Sequence, residues 1–143
     1  MSMIGWDVAT TTGYAYQGVG GTWHTGTLHI DDDAGFARVI GEAKARGVFR
    51  AAVEDCYYIN NLKTVKMLAF AEGRVWQRCV TAGLSCVMVS PSEWQSALCI
   101  TGPRKDRKLG AARVARQLGA DPYLSDDEND AVCLCYYAAI NAE

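Results

Sequence analysis

Asp7 ends a short apolar strand and precedes Val8-Ala9-Thr10-Thr11-Thr12-Gly13, a small-residue turn. A charged group rarely ends a core strand without a partner. Glu54 poses the same problem at the end of a second apolar run, Phe49 to Asp55, and parallel pairing of the two runs would bring their ends together. Late in the chain Asp127 and Asp130 stand three residues apart, hence on one face of a helix. If these four carboxylates converge, their repulsion raises their pKa values unless cations lie among them. All-oxygen ligation selects Mg2+ or Mn2+ over zinc. Two such ions, about 3.5 to 4 Å apart, can activate a water and stabilise the leaving oxygen of an in-line phosphoryl displacement. That is nuclease chemistry. Each residue also has a plainer reading: Asp127 complements a helix dipole, Asp7 caps its own turn, and one of the adjacent Glu54 and Asp55 points to the surface. Glu54 is taken as the ligand. The joint arrangement is more specific than any one of its members.

The elements that would hold these residues can be read from periodicity and caps. Met3 to Val8 is an apolar strand; Gly13 to Gln17 and Thr22 to Ile30 form a hairpin about Gly18-Val19-Gly20-Gly21. Asp31 to Asp33 can cap a helix to about Arg46, stopped by Gly47, after which Phe49 to Asp55 returns as a strand. Asn60 or Asn61 caps a long helix to about Thr81, Gly83 breaks it, and Leu84 to Val89 is a fully apolar strand. Ser90-Pro91-Ser92-Glu93 is a capping box with proline at the first helical position, opening a short helix to Leu98. A basic helix, Lys105 to Leu118, follows, and a second capping box at Ser125 to Glu128 opens a last helix to about Ala142. The order βββ-α-β-α-β-α-α-α requires right-handed crossovers between the later strands. It predicts an α/β fold with a five-stranded mixed sheet, three strands antiparallel and two parallel, flanked by helices on both faces. No repeat or low-complexity stretch divides the chain, so residues 1–143 are expected to form one domain.

Whole-chain charge, with 14 basic against 16 acidic residues, argues against a nucleic-acid binder, but its distribution along the chain points the other way. Between Thr101 and Leu118, Arg104, Lys105, Arg107, Lys108, Arg113 and Arg116 oppose the single acid Asp106, while acids gather at Asp31 to Asp33 and Asp126 to Asp130. Such segregation suits a metal site beside a phosphate-binding surface. The six cysteines sit mostly in hydrophobic runs and are expected to be reduced core residues. No apolar run approaches the roughly 20 residues needed to cross a bilayer, and Met1 to Asp7 has no basic leader, so a cytoplasmic protein without membrane contact is expected. A sugar-kinase-like ATPase half is disfavoured, since no second phosphate-binding glycine motif follows.

Ile4-Gly5-Trp6-Asp7-Val8-Ala9-Thr10-Thr11-Thr12-Gly13-Tyr14, then Ala52-Val53-Glu54, then Asp127-Glu128-Asn129-Asp130-Ala131 resemble the RuvC family of Holliday junction resolvases, in particular its shorter phage-type members. The resemblance spans nearly the whole chain in order. It implies a ribonuclease H-like fold, a homodimer, and Mg2+- or Mn2+-dependent nicking of two opposing strands of a four-way DNA junction, with two ions at each site. It further implies Asp7, Glu54, Asp127 and Asp130 as catalytic metal ligands and Tyr57 as the aromatic that stacks on bases at the crossover. A surface tyrosine is the alternative for Tyr57. Lys108, after Thr101-Gly102, matches the family's glycine-then-lysine spacing and becomes the leading phosphate contact, ahead of Arg104, Lys105 and Arg107. Two departures stand out: Val8-Ala9 occupies the place of the Pro-Gly usual in bacterial members, and Glu93-Trp94-Gln95 stands where a lysine is usual. Trp94 has two readings, a DNA contact or a core or interface residue. The family dimerises through the helix that begins here near Leu62, whose apolar surface is broad enough for both the sheet and a second copy. Other ribonuclease H-like nucleases, cutting flaps or RNA–DNA hybrids, and a catalytically silent junction-binding module are the alternatives.

Overall fold

The computed structural model describes residues 2–56 and 60–142, and Tyr57 lies outside them. Met3–Asp7 (β1), Thr11–Gln17 (β2) and Trp23–His29 (β3) form the antiparallel part of one sheet. Gly20 and Gly21 turn the hairpin at φ of 89° and 84°, a region open to glycine without steric cost. Asp33–Ala45 (α1) leads to Arg50–Glu54 (β4), which pairs parallel to β1; Leu62–Thr81 (α2) leads to Ser85–Val89 (β5), parallel to β4. The strand order is β3-β2-β1-β4-β5. Pro91–Ala97 (α3), Arg104–Gln117 (α4) and Asp126–Asn141 (α5) complete the chain. The expected α/β architecture, a mixed sheet with three antiparallel and two parallel strands, is the one found. Asn61 caps α2, and both capping boxes, at Ser90 with Glu93 and at Ser125 with Glu128, are closed.

Alternation along the strands sorts side chains into two layers. Ile4, Trp6, Ala51 and Val53 face α1 and α2, meeting Phe36, Val39, Ile40, Val75 and Cys79 in one core cluster. Met3 and Ala52 face the other way, into a cluster with Trp94 of α3, Ala111 of α4 and Cys133 to Cys135 of α5. Gly5 and Gly13 let α5 lie close on the sheet. A Cβ at Gly5 would stand 2.7 Å from the Ala131 carbonyl oxygen, and one at Gly13 would overlap the Asp127 carbonyl.

Two expectations need correction in detail, and a third holds. The apolar strand β5 is an edge, with Val87 and Met88 about two-fifths exposed, because no strand covers its outer side. Only Cys79, Cys133 and Cys135 are core residues; Cys56 and Cys86 are half-buried, and Cys99 is exposed in the turn after α3, with a left-handed φ of 57°. The long helix α2 buries Ala71, Val75 and Cys79 but leaves Leu62, Met67, Phe70 and Val80 in solvent. Among the described residues no helix is long and apolar enough to cross a membrane.

Candidate active site

Asp7 shares the parity of Met3 and Gly5, so it projects from the end of β1 toward α5. Trp6 pairs with Val53, which sets Glu54 beside Asp7 on the same side. Asp55, next in the chain, turns toward Glu72 of α2. The first turns of α5 bring Asp127 and Asp130 over these strand ends, and the glycine at position 13 is what admits the helix there. All four carboxylates line one cleft of about 410 Å³. Its remaining walls include Ser90, Ser92, Trp94 and Gln95 from the α3 region and Arg104, Arg107 and Lys108 from α4. Lys105, expected beside them, is exposed on α4 and does not line the cleft.

Burial and mutual repulsion dominate the electrostatics. Asp7 is 8% exposed, and burial, then the charges of Glu54, Asp130 and Asp127, push its carboxyl well above the usual carboxylate range. Burial likewise raises Glu54, to about 7, although hydrogen bonds from the Trp94 indole and from Asp7 pull the other way. Burial thus disfavours the charged form of both Asp7 and Glu54. Asp130 is raised by burial, with the Lys108 ammonium opposing the shift. For Lys108, burial disfavours the charge, but its 2.6 Å hydrogen bond to Asp130 Oδ2 and the charges of Asp130 and Asp7 outweigh that, so its pKa rises. A cation among these carboxyls would offset the burial and repulsion that disfavour their charged forms, and a donor set made only of oxygens fits Mg2+ or Mn2+. No three of the four bring their oxygens within 4.8 Å of one another; they surround a space rather than filling it. The cationic side is equally uneven. Arg104 and Lys105 begin α4, where the helix dipole disfavours positive charge, and Pro103 supplies no side-chain cap.

The carboxylates that do cluster within 4.8 Å are on the α2 side of β4, where Asp55 and Glu72 stand with the Cys56 thiol. Buried Glu72 accepts the Cys56 backbone N–H at 3.0 Å and shares a hydrogen bond with Asp55. Every group in it is matched by another, so it ties the end of β4 to α2.

Trp94 is 1% exposed, and its indole Nε1 donates to Glu54 Oε2 at 2.8 Å. Of its two readings, the core one holds, with a polar link into the cleft added. Gly13, Trp94 and Glu72 are the contributors that residue types alone did not assign. Glycine inside a strand pattern was the available signal for the first, since it marks close approach by another backbone.

Among solved structures, a Thermus thermophilus RuvC in complex with a Holliday junction substrate superposes with a TM-score of 0.73 at 18% identity, covering 99% of this chain and 95% of that one. A second Thermus thermophilus RuvC structure gives a TM-score of 0.67 at 19% identity with the same coverage. No family model matches the sequence, and no curated protein matches it. At this identity the likeness extends to the fold, which is the ribonuclease H-like fold of those two structures.

Proposed function

We propose that this protein is a divalent-metal-dependent, structure-selective endonuclease that resolves four-way DNA junctions by paired, symmetric nicks. The observation that carries the reading is the convergence of Asp7, Glu54, Asp127 and Asp130 in one cleft whose rim holds Arg104, Arg107 and Lys108. The fold shared with a RuvC bound to a Holliday junction supports the choice of substrate.

In this reading Asp7, Glu54, Asp127 and Asp130 hold two ions of Mg2+ or Mn2+, which when bound supply water activation and charge neutralisation at the scissile phosphate. The chain itself positions the reactants. Lys108 stands on Asp130 at the cleft wall, where it meets a phosphate entering the site, and Arg104, Arg107 and the more peripheral Lys105 hold the flanking backbone. These contacts supply salt-dependent affinity without sequence information. Tyr57, three residues after Glu54 in the sequence, is assigned by the resemblance to stacking on bases at an opened crossover, a contact that contributes about 1 to 3 kcal/mol per base. No side chain forms a covalent intermediate; water attacks, the 3′-oxygen leaves, and the ends are 5′-phosphate and 3′-hydroxyl. A homodimer presents two such sites with the two-fold symmetry of the substrate. Leu62, Met67 and Phe70, exposed along one side of α2, are the surface that favours it.

The test is cleavage of a synthetic four-way junction, with duplex, flap and RNA–DNA hybrid controls, by wild type and Asp7→Asn with Mg2+. Symmetric nicks by wild type alone, with the variant still binding the junction, are expected. Cleavage of the hybrid instead assigns a ribonuclease H; binding without cutting by wild type assigns a silent module. Either outcome overturns the resolvase reading.

A further inference from the structure

The Trp94–Glu54 link joins the core to the cleft. An indole has a single donor and no acceptor, so its N–H serves one partner only. That partner is Glu54 Oε2, at 2.8 Å. The ring cannot turn away cheaply, because Trp94 is 1% exposed within the cluster that contains Ala52, Val89 and Ile100. Its helix is fixed at the start by the Ser90–Glu93 capping box and by Pro91 at the first helical position. The donor is therefore rigid, and the carboxylate it holds is at the end of a central strand. Glu54 is left with Oε2 engaged and Oε1 unengaged by the indole.

We infer that Trp94 is a positioning residue that fixes the Glu54 carboxylate through its indole N–H, so that Glu54 offers one oxygen to a divalent cation and the site favours Mg2+ and Mn2+ over Ca2+. The inference rests on the metal-dependent nuclease reading above. Its chemistry follows from the different demands of the ions. Mg2+ takes near-ideal octahedral geometry from single oxygens, whereas Ca2+ accepts more ligands and readily takes both oxygens of a carboxylate. Outer partners that orient a ligand typically affect metal affinity about 10- to 100-fold.

The experiment uses the full chain in three forms: wild type, Trp94→Phe and Glu54→Gln. Calorimetric titration of the DNA-free protein with Mg2+ should give a Kd about 10- to 100-fold weaker for Trp94→Phe, while its Ca2+ affinity falls less. Junction binding in EDTA should match wild type, and junction cleavage should recover as Mg2+ is raised. In wild type the indole Nε1–H resonance that is missing from Trp94→Phe should move on adding Mg2+, and it should move again in Glu54→Gln without any metal. A folded Trp94→Phe with wild-type Mg2+ affinity, or an indole resonance indifferent to Glu54→Gln, overturns the positioning role. If Trp94→Phe does not fold, the wild-type and Glu54→Gln resonances decide alone. Wild type that binds Mg2+ with the expected indole response but cuts no nucleic acid sinks the nuclease reading and leaves the link between Trp94 and Glu54 standing.

Discussion

Raising the pH of the metal-free protein from about 5 to about 8 should remove stability, and Mg2+ should restore it. Glu54 titrates at about 7 in the folded chain, raised from 4.5 by burial first. The folded state thus keeps a proton that the unfolded chain has already released. A carboxyl raised in this way adds stability below its unfolded value, and that stability is lost as the pH climbs through the folded one. The shift corresponds to about 3 kcal/mol, at roughly 1.4 kcal/mol per unit. Asp7 and Asp130 are raised as well, again by burial before any other cause, and act in the same sense. For a chain of 143 residues, an unfolding entropy of about 2.1 cal/mol/K per residue converts this to a fall in Tm of roughly 10 °C. Thermal unfolding in EDTA and in Mg2+ across this range is the assay. A cation present at about 100 times its Kd stabilises by about 2.7 kcal/mol, enough to flatten the curve. Glu54→Gln has no carboxyl to titrate at that position, so its metal-free profile should be flatter and its gain from Mg2+ small. Some slope should persist from Asp7, Asp130 and Glu72, the last raised by burial and by Asp55. A metal-free Tm that stays level or rises with pH, or identical curves for wild type and Glu54→Gln, would refute a buried carboxylate site built for a cation.

Other substitutions address the seat of α5, the cationic rim and the open face of α2. Gly13→Ala places a methyl group on the Asp127 carbonyl, so it should cost about 1 to 3 kcal/mol in thermal unfolding and depress cleavage while junction binding persists; an unchanged Tm would show that the helix yields freely. Lys108→Met should lower the slope of log K against log salt by about one in anisotropy titrations with junction DNA in EDTA, and an unaltered slope would remove Lys108 from the phosphate contacts. Phe70→Glu should give monomers in sedimentation velocity, with a stability change within about 0.5 kcal/mol because Phe70 is 77% exposed; a dimer that survives places the interface elsewhere.

The order of elements was legible because boundary after boundary has its own local signal. Asn61, Ser90-Pro91 and Ser125 open helices, and glycines 47, 83 and 119 lie just beyond helix ends, each with φ near 90°. The candidate site was legible in its members and less so in its supports. Asp7 and Glu54 could be paired from strand ends alone, but the choice of Glu54 over Asp55 depends on parity, and parity is fixed by the partnering of Trp6 with Val53. That is a tertiary fact. Trp94 could be read as a DNA contact or as a core or interface residue, but not as a partner of Glu54, because that partner lies 40 residues upstream. The apolar composition of β5 suggested cover on both faces, yet composition does not distinguish an edge from a central strand. Lys105 belonged to the right run of charge, and helical rotation turned it away from the cleft that takes Arg104, Arg107 and Lys108.

The two consecutive acids at the end of β4 are the point where both layers of the protein meet. Alternation sends Glu54 toward α5, where Trp94 holds it, and sends Asp55 toward α2 at the edge of the same cleft, where it meets Glu72, itself the acceptor of the Cys56 N–H. Once ionised, buried acids of this kind lower the stability of the metal-free chain, and the apolar layers on either side of the sheet offset that cost. A strand end secured in both directions suits a reaction whose ligand positions matter at the scale of tenths of an ångström. It also links the carboxylate cleft to α2 through short, hydrogen-bonded contacts. If two copies meet along Leu62, Met67 and Phe70, the separation of their clefts is set by those contacts and the helix itself, the rigidity that the proposed pair of coordinated cuts would require.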